Sequence, residues 1–509
     1  MIQMTATEIA QAIDGELMGG DATVSGPVVV DSRLVQPGSV FVAIDGEHVN
    51  GADFAGKAIE SGAKAIIASR QIENLTAPVI VVSDVQKALG KLAQYSLKRV
   101  REVNPDLRVV AITGSQGKTT TKDLLAQLLT DDVNGADVIA PVGSFNNEIG
   151  LPLTVLRISP ETKFAALEMG ADHPGNIADL TTIAPPQVGT VLTVGTAHME
   201  TFGSRDGIAQ AKSEMVDGVL PGGTAVLNAD DHRVANMRHK ADARDLRAVM
   251  FGTSPEADVA AEHITLDELG RAAFDLRVKS AVVDSSDYAP ALNLPVKLQV
   301  LGEHHVSNAL AAATAALLVG IPPQTVAKRL SNAKPLSPHR MAVTERPDDI
   351  IVIDDAYNAN PESMRAGMQT LAKVAQGRRS AQPATRSVAI VGAMRELGEG
   401  GVEAHDEIGR LAVRLGIDKF VVIGDGARAA HDAAVQEGSW DGESVFFADL
   451  DQARAALPQI LRPGDVVLVK ASNGSGLWRL ADELAAGEFG PSGALPNSAN
   501  AAIVESAEV

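Results

Sequence analysis

LRVVAITGSQGKTTTK, residues 107–122, passes from a row of apolar β-formers through a glycine turn into a helix-forming stretch. Strand, glycine loop and helix in that order are what a phosphate-binding loop requires. The usual pattern G-x-x-x-x-G-K-[ST] would need glycine at position 112, where Ile112 stands. The loop is a tighter one: Gly114, Ser115, Gln116, Gly117, Lys118 and Thr119, followed by Thr120. Its backbone N–H groups can face phosphate oxygens, and the helix N-terminus adds positive potential. Lys118 is suited to the β- and γ-phosphates, and the Thr119 hydroxyl to Mg2+. A glycine-rich turn with a surface lysine is the plain alternative, and the complete strand–loop–helix order weighs against it.

Working outward, Leu124, Leu125, Leu128 and Leu129 share one face of the helix after the loop. Further apolar runs follow at FAALEMG, VGTVLTVG and GTAVLNAD, separated by helical stretches. The pattern predicts a mostly parallel sheet covered by helices, over 105–332. Before it, residues 1–104 read as a small α/β module, where VVVDSRLVQPGSVFVAIDG holds two β-rich runs split by a Pro-Gly turn. After it, NAKPLSPHR reads as a linker. IIVIDDAYN, SVAIVGAM, KFVVIG and DVVLVKAS then predict a second, Rossmann-like doubly wound sheet over 333–486. The stretch 487–509 is rich in Gly, Pro, Ser, Asn and Ala and is expected to be a disordered tail. The expectation is an α/β protein of three domains.

Composition narrows the function. A chain of 509 residues is too long for one core, and 45% hydrophobic with 21% charged residues is ordinary for a globular protein. A net charge of −20 argues against nucleic acid as a partner. Phosphorylated ligands must then be held by local cations and helix N-termini against an unfavourable field. There are no cysteines, so disulfides and thiolate chemistry are excluded. The first thirty residues carry Glu8, Asp14, Glu16 and Asp21 and no Lys or Arg, unlike a signal peptide. The apolar run ALAAATAALLVGI, starting at Ala309, falls short of the roughly 20 residues of a membrane span. A cytoplasmic protein is expected.

Two strand ends carry chemistry. LEMGADH puts Glu168 at one, and VGTAHMETFGS puts His198 at another. Strand C-termini in a parallel sheet converge on the ligand crevice, and a carboxylate with an imidazole suits Mg2+ or Mn2+. Singly, each is more often a solvated or hydrogen-bonded side chain. Lys212, in the helical GIAQAKSEM, reads by itself as a surface lysine. Arg340 after the linker could bridge to a phosphate, and Asp355 could take hydrogen bonds from a ribose. Turn chemistry explains those residues equally well, and spacing leaves both readings open.

Taken together, DSR, TGSQGKTTTK, FNNEIGLP, LEMGADH, AHMETFGS, AKSE, GEHHVSNALAA, HR and DDAYNANP resemble the Mur ligases, ATP-dependent amide-forming enzymes of peptidoglycan precursor synthesis. The likeness extends from Asp31 to about Ala485, and the short glycine loop is that superfamily's form. FNNEIGLP, DDAYNANP and VGAMRELG point within the family to addition of D-alanyl-D-alanine to a UDP-N-acetylmuramoyl tripeptide. The third-residue-adding ligase and folylpolyglutamate synthase are the alternatives inside the superfamily, and a P-loop switch protein is the alternative outside it.

The resemblance implies an acyl-phosphate mechanism with ATP and two Mg2+ sites. One site would use Thr119; the other would use Glu168, His198 and a CO2-derived carbamate on Lys212. It adds Asn308, Arg340, Asp355 and Tyr357 to the ATP site. Ser32 and Arg33 would meet the UDP-sugar, and Asn146, Asn147 and Ser204 the peptide substrate. A monomer acting on small molecules is implied. Three positions depart from the family pattern: Gln116, where Asn or Ser is frequent; His305, where Asn is usual; and Asn473, where Arg is common.

Overall fold

The computed structural model describes residues 1–46, 49–130, 137–141, 143–196, 199–283, 291–438 and 441–489. It is a three-domain α/β structure whose large sheets are mainly parallel.

The N-terminal sheet has five strands in the order Glu16–Met18, Val79–Val81, Ala65–Ala68, Val40–Val42, Val28–Val29. The first pair is antiparallel and the rest are parallel. Val28–Val29 and Val40–Val42 are the two β-rich runs expected from the sequence. Helix Val85–Val103 buries Leu89, Leu92, Ala93, Leu97 and Val100 at helical spacing. That face enters one core with Val109, Ala111, Leu151 and Leu167, so the first domain rests directly on the central sheet.

The central sheet has nine strands. Arg108–Thr113 lies inside it, flanked in parallel by Phe164–Glu168 on one side and Val188–Val191 on the other. The chain therefore turns back across the strand that leads into the glycine loop. Such a switch leaves a crevice at the strand C-termini. Thr224–Asn228 and Arg247–Gly252 continue the parallel part. Three longer strands, Val259–Leu266, Arg271–Lys279 and Ala291–Leu301, then extend the sheet, joined to one another antiparallel.

This extension was not anticipated from sequence. Its signal is the strict alternation in RAAFDLRVK, whose residues are buried and half-buried by turns. The alanine-rich helix His305–Leu318 is buried almost all round, against the glycine-loop helix Lys118–Leu129 and the sheet. That burial accounts for its apolar run without a membrane, and no helix among the described residues is long and apolar enough to cross one.

In the C-terminal domain, Ile351–Asp355, Val466–Lys470, Ser387–Val391, Lys419–Ile423 and Ser444–Phe447 form a parallel sheet in that order, with Ala342–Glu345 antiparallel at the edge. Leu468 and Val466 enter the core on one face, and Val467 and Val469 the core on the other. Near-continuous apolar strands are the mark of a sheet covered on both sides. Of the expected tail, residues 487–489 are described: Gly487 ends the last helix, and Phe489 packs against the core. The remainder of that tail lies outside the described residues.

Candidate active site

The glycine loop joins strand Arg108–Thr113 to helix Lys118–Leu129 with Gly117 at the helix N-cap, in the left-handed region at φ +82°. Glycine is required there twice over. The backbone angle disfavours any L side chain, and a Cβ would collide with Asn308 Oδ1 from the alanine-rich helix. Asn308, 8% exposed, thus stands against the loop. Ser115 anchors the loop to the segment that follows the neighbouring strand: its N–H donates to Thr193 O at 2.9 Å, and its Oγ accepts from Gly195 N at 2.8 Å. Gln116 and Thr120 are half-buried beside it.

Lys118 folds back to donate to Gly114 O at 2.8 Å. Burial pushes its ammonium below the ordinary lysine value; Glu168 pulls it back, and Arg340 adds to the fall. Thr119 Oγ1 lies 2.9 Å from Ser144 Oγ. Arg340 Nη2 donates to both hydroxyls at 3.3 Å, its guanidinium lying 4.2 Å over the Tyr357 ring. Arg340 Nε is buried without a partner among the described residues. Arginine, threonine and serine from three segments therefore meet at the mouth of the loop. Ser144 was not singled out from sequence, although it directly precedes FNNEIG.

Strand pairing sets Glu168 beside Ile112, at the strand end next to the loop. It is 1% exposed; Oε1 accepts from Asn146 Nδ2 at 2.7 Å, and Oε2 is buried with no hydrogen-bond partner among the described residues. Asn147 instead shapes its own loop, its Oδ1 accepting from Gly150 N at 2.9 Å. Ser204 caps helix Arg205–Gly218 by accepting from Gly207 N at 3.0 Å.

Lys212, on the inner face of that helix, is 4% exposed, and its amine has neither hydrogen bond nor ion pair among the described residues. Burial and the charge of Lys118 lower its pKa to about 7, with Glu214 acting the other way. A surface lysine would show none of this. His198 lies outside the described residues.

Asp355, at the end of its strand, is held by the almost fully buried Lys470 at 2.6 Å. Met341 N donates to its other oxygen at 3.3 Å. Lys470 also donates to Asn358 O at 2.9 Å, which makes it a structural partner that sequence reading passed over. His305 and Asn308 are neighbours, His305 Nδ1 lying 3.1 Å from Asn308 Nδ2. His305 Nε2 is buried without a partner among the described residues. Burial and then His304 push the His305 imidazole well below its ordinary value, so it is neutral.

In the first domain, Asp31 binds Arg33 in a two-point pair at 2.7–3.0 Å, and Ser32 is 8% exposed between them. Arg33 itself is 62% exposed, reaching outward from that pair. Asn473 opens a short turn whose backbone meets Arg395, Nη2 donating to Gly474 O at 2.6 Å.

The middle and C-terminal domains also meet through Glu362, the second residue of helix Pro361–Arg379. Thr196 Oγ1 donates to its two oxygens at 2.8 and 3.0 Å, and Arg205 lies 3.5 Å away.

Comparison with known proteins gives three matches along the chain: the Mur ligase family catalytic domain over residues 27–96, the Mur ligase middle domain over 112–316, and the Mur ligase glutamate ligase domain over 339–473. The UDP-N-acetylmuramoyl-tripeptide--D-alanyl-D-alanine ligase of Mycobacterium tuberculosis (strain ATCC 25618 / H37Rv) is 43% identical over 96% of this chain and 98% of its own. The enzyme of the same name from Escherichia coli (strain K12) is 33% identical over 94% and 97%. Among solved structures, MurF from Acinetobacter baumannii superposes with TM-score 0.80 at 30% identity, covering 95% of this chain and 99% of that one. MurF ligase from Thermotoga maritima in complex with ADP gives TM-score 0.72 at 30% identity over 90% and 97%.

Proposed function

The chain belongs to the Mur ligase family, and on that premise we propose that it is the ATP-dependent ligase that joins D-alanyl-D-alanine to a UDP-N-acetylmuramoyl tripeptide. The observation that carries the reading is the junction at the glycine loop. There Lys118 and Thr119 of the middle domain face Arg340 of the C-terminal domain, with Glu168 and the buried Lys212 on adjoining elements. The 43% identity to the mycobacterial ligase over nearly the full chain supports the choice of substrates.

An amide does not form from a carboxylate and an amine in water without activation. A terminal carboxylate oxygen of the tripeptide attacks the γ-phosphorus of ATP; ADP departs, leaving an acyl phosphate. The dipeptide amine then attacks the carbonyl carbon, its proton is lost, and inorganic phosphate leaves the tetrahedral intermediate. Carboxylate, triphosphate and oxyanion crowd together, so the work of the protein is positioning and charge compensation. Lys118 releases Gly114 O to reach the phosphates, and Arg340 offers Nη2 and the free Nε from across the domain junction. Closure of the two domains keeps water from the acyl phosphate.

The residues present fit the implied metal and carbamate. Among the described residues, Glu168 has a buried carboxylate oxygen without a donor, and Lys212 a buried amine that forms no ion pair. A lysine with a pKa near 7 offers a neutral amine that adds to CO2, losing a proton and becoming an anionic oxygen ligand. Glu168, the Lys212 carbamate and His198 would hold one Mg2+ and Thr119 the other; when bound, the ions neutralise phosphate charge and orient its oxygens. The role of His198 rests on the family resemblance.

Asn308 against the loop supports an adenine contact, and Tyr357 and Asp355 line the C-terminal side. Ser32 and Arg33 are assigned to the UDP-sugar, and Asn146, Asn147 and Ser204 to the peptide end. We take the domains as 1–104, 105–332 and 333–486, and the enzyme as a cytoplasmic monomer.

The test is phosphate release from ATP with the muramoyl tripeptide and D-alanyl-D-alanine supplied singly and together. Release that needs both supports the ligase. Equal release without the dipeptide points to a nucleotide switch, and turnover of folate with glutamate, or of the dipeptide precursor with a diamino acid, points to another member of the superfamily.

A further inference from the structure

Arg340 reaches the glycine loop from a linker whose backbone is under strain on both sides of it. His339 and Met341 are both in the left-handed region, at φ +57° and +52°. Neither is glycine, and such a conformation is unfavourable for an L side chain and persists only where the surroundings over-determine it. The surroundings here do so. His339 Nδ1 lies 2.7 Å from Asp354 Oδ2, with both side chains largely buried. Tyr357 N donates to His339 O at 3.3 Å, and Met341 N donates to Asp355 Oδ1 at 3.3 Å. The Met341 side chain is 3% exposed within the C-terminal core. The imidazole also stands 5.8 Å from the Trp478 ring. The three residues are thus sewn to the end of strand Ile351–Asp355, and Arg340, between the two anchors, is left to point at Thr119 and Ser144.

We propose that His339 is a positioning residue for nucleotide binding: its pair with Asp354 holds the strained linker so that Arg340 meets the phosphates at the glycine loop. This rests on the reading of that loop as the ATP site. The charged groups facing the imidazole are Asp354, Asp482 at 3.9 Å from Nδ1, and Arg340 itself. Burial lowers the His339 pKa, and Arg340 adds to the fall, but the hydrogen bond and charge of Asp354 with the charge of Asp482 raise it, and the net shift is upward. The shift has the sign of a donor held by a carboxylate. The arrangement makes two demands on position 339: tolerance of a left-handed backbone, and an N–H aimed at Asp354. Asparagine meets both in neutral form, while alanine meets neither.

The experiment is calorimetric binding of Mg·ATP to the full chain as wild type, His339→Ala, His339→Asn, Arg340→Ala and the double variant His339→Ala/Arg340→Ala. Losing a charge-assisted contact to phosphate is expected to weaken binding about tenfold in Arg340→Ala, and His339→Ala should lose a comparable factor. The double variant should be no weaker than Arg340→Ala alone, because residues acting through one contact are not additive. His339→Asn should bind within about threefold of wild type. If His339→Ala does not fold, Asp354→Asn takes its place in the same cycle.

Multiplying losses in the double variant would overturn the proposal, as would unchanged affinity in His339→Ala beside a weakened Arg340→Ala; in both cases the ATP assignment stands. Unchanged affinity in Arg340→Ala would instead remove Arg340 from the nucleotide site and the proposal with it.

Discussion

Glu168 Oε1 takes a hydrogen bond from Asn146 Nδ2 at 2.7 Å, while Oε2 of the same carboxylate is buried and has no partner among the described residues. The two residues come from different segments: Glu168 ends a strand beside the glycine loop, and Asn146 sits in the FNNEIG loop. Leaving a carboxylate oxygen buried and unpaired costs on the order of 1–3 kcal/mol, a penalty that a bound cation removes. Asn146 fixes one oxygen and thereby aims the other. An amide assigned to the substrate from sequence thus has a prior role, orienting the proposed metal ligand.

Glu168→Gln keeps the size of the side chain and removes its charge. Turnover should fall by about 100-fold or more, the scale of losing one electrostatic contact at a reacting centre, while the fold is retained. The check is initial rate against Mg2+ concentration, where the variant should require more metal to reach half its own maximum. Wild-type metal dependence in the variant would remove Glu168 from the metal site.

Gly117→Ala places a Cβ on a left-handed residue and into Asn308 Oδ1. The backbone strain alone is worth roughly 1–3 kcal/mol, and the collision must be relieved by moving the alanine-rich helix or the loop. Mg·ATP affinity measured by calorimetry should drop at least about tenfold, with the N-terminal and C-terminal domains undisturbed. Normal affinity would mean that the loop accommodates the methyl and is not the phosphate cradle.

Glu362 ties the C-terminal domain to Thr196 and Arg205 of the middle domain. Partly exposed pairs of this kind contribute about 0–1 kcal/mol to stability, so Glu362→Ala should hardly change the melting temperature. Its effect belongs to closure: KM for D-alanyl-D-alanine should rise by up to about fivefold, the factor for a loss of this order. Small-angle scattering of the substrate-bound enzyme should show a larger radius of gyration. An unchanged KM would show that other contacts hold the domains shut.

Lys212, buried first and repelled by Lys118 second, has a pKa of about 7, so it is mostly charged at pH 6 and mostly neutral at pH 8. Only the neutral amine adds to CO2. In buffer stripped of CO2, activity should be low at both pH values, and bicarbonate should restore it at pH 8 more completely than at pH 6. Lys212→Ala should be inactive yet still bind ATP, with acetate restoring part of the turnover. Lys212→Arg keeps a cation but forms no carbamate and should be as inactive. An active arginine variant would refute the carbamate.

The parts legible in sequence are those whose residues are contiguous. The glycine loop, its strand and its helix are one stretch of chain, and Glu168 ends a five-residue apolar strand in plain view. The contacts that complete the site are not contiguous. Arg340 meets Thr119 across 221 residues, and Lys470 meets Asp355 across 115. Spacing carries no information about such pairs, which is why Arg340 and Asp355 could equally be read as turn residues. Lys212 shows the limit most clearly: helical periodicity allows it to face either way, and only the packing of its helix buries it. Ser204 and Asn147, assigned to substrate by resemblance, also serve as a helix cap and a loop brace, roles that their residue types permit anywhere in a chain.

The central step is activation of the tripeptide carboxylate by phosphorylation. Tripeptide substrate labelled with 18O in both terminal carboxylate oxygens, incubated with ATP and D-alanyl-D-alanine, gives inorganic phosphate whose mass reports the path of the oxygen. Transfer through an acyl phosphate predicts one 18O in each phosphate released and one kept in the new amide. Amide formation accompanied by unlabelled phosphate would contradict it.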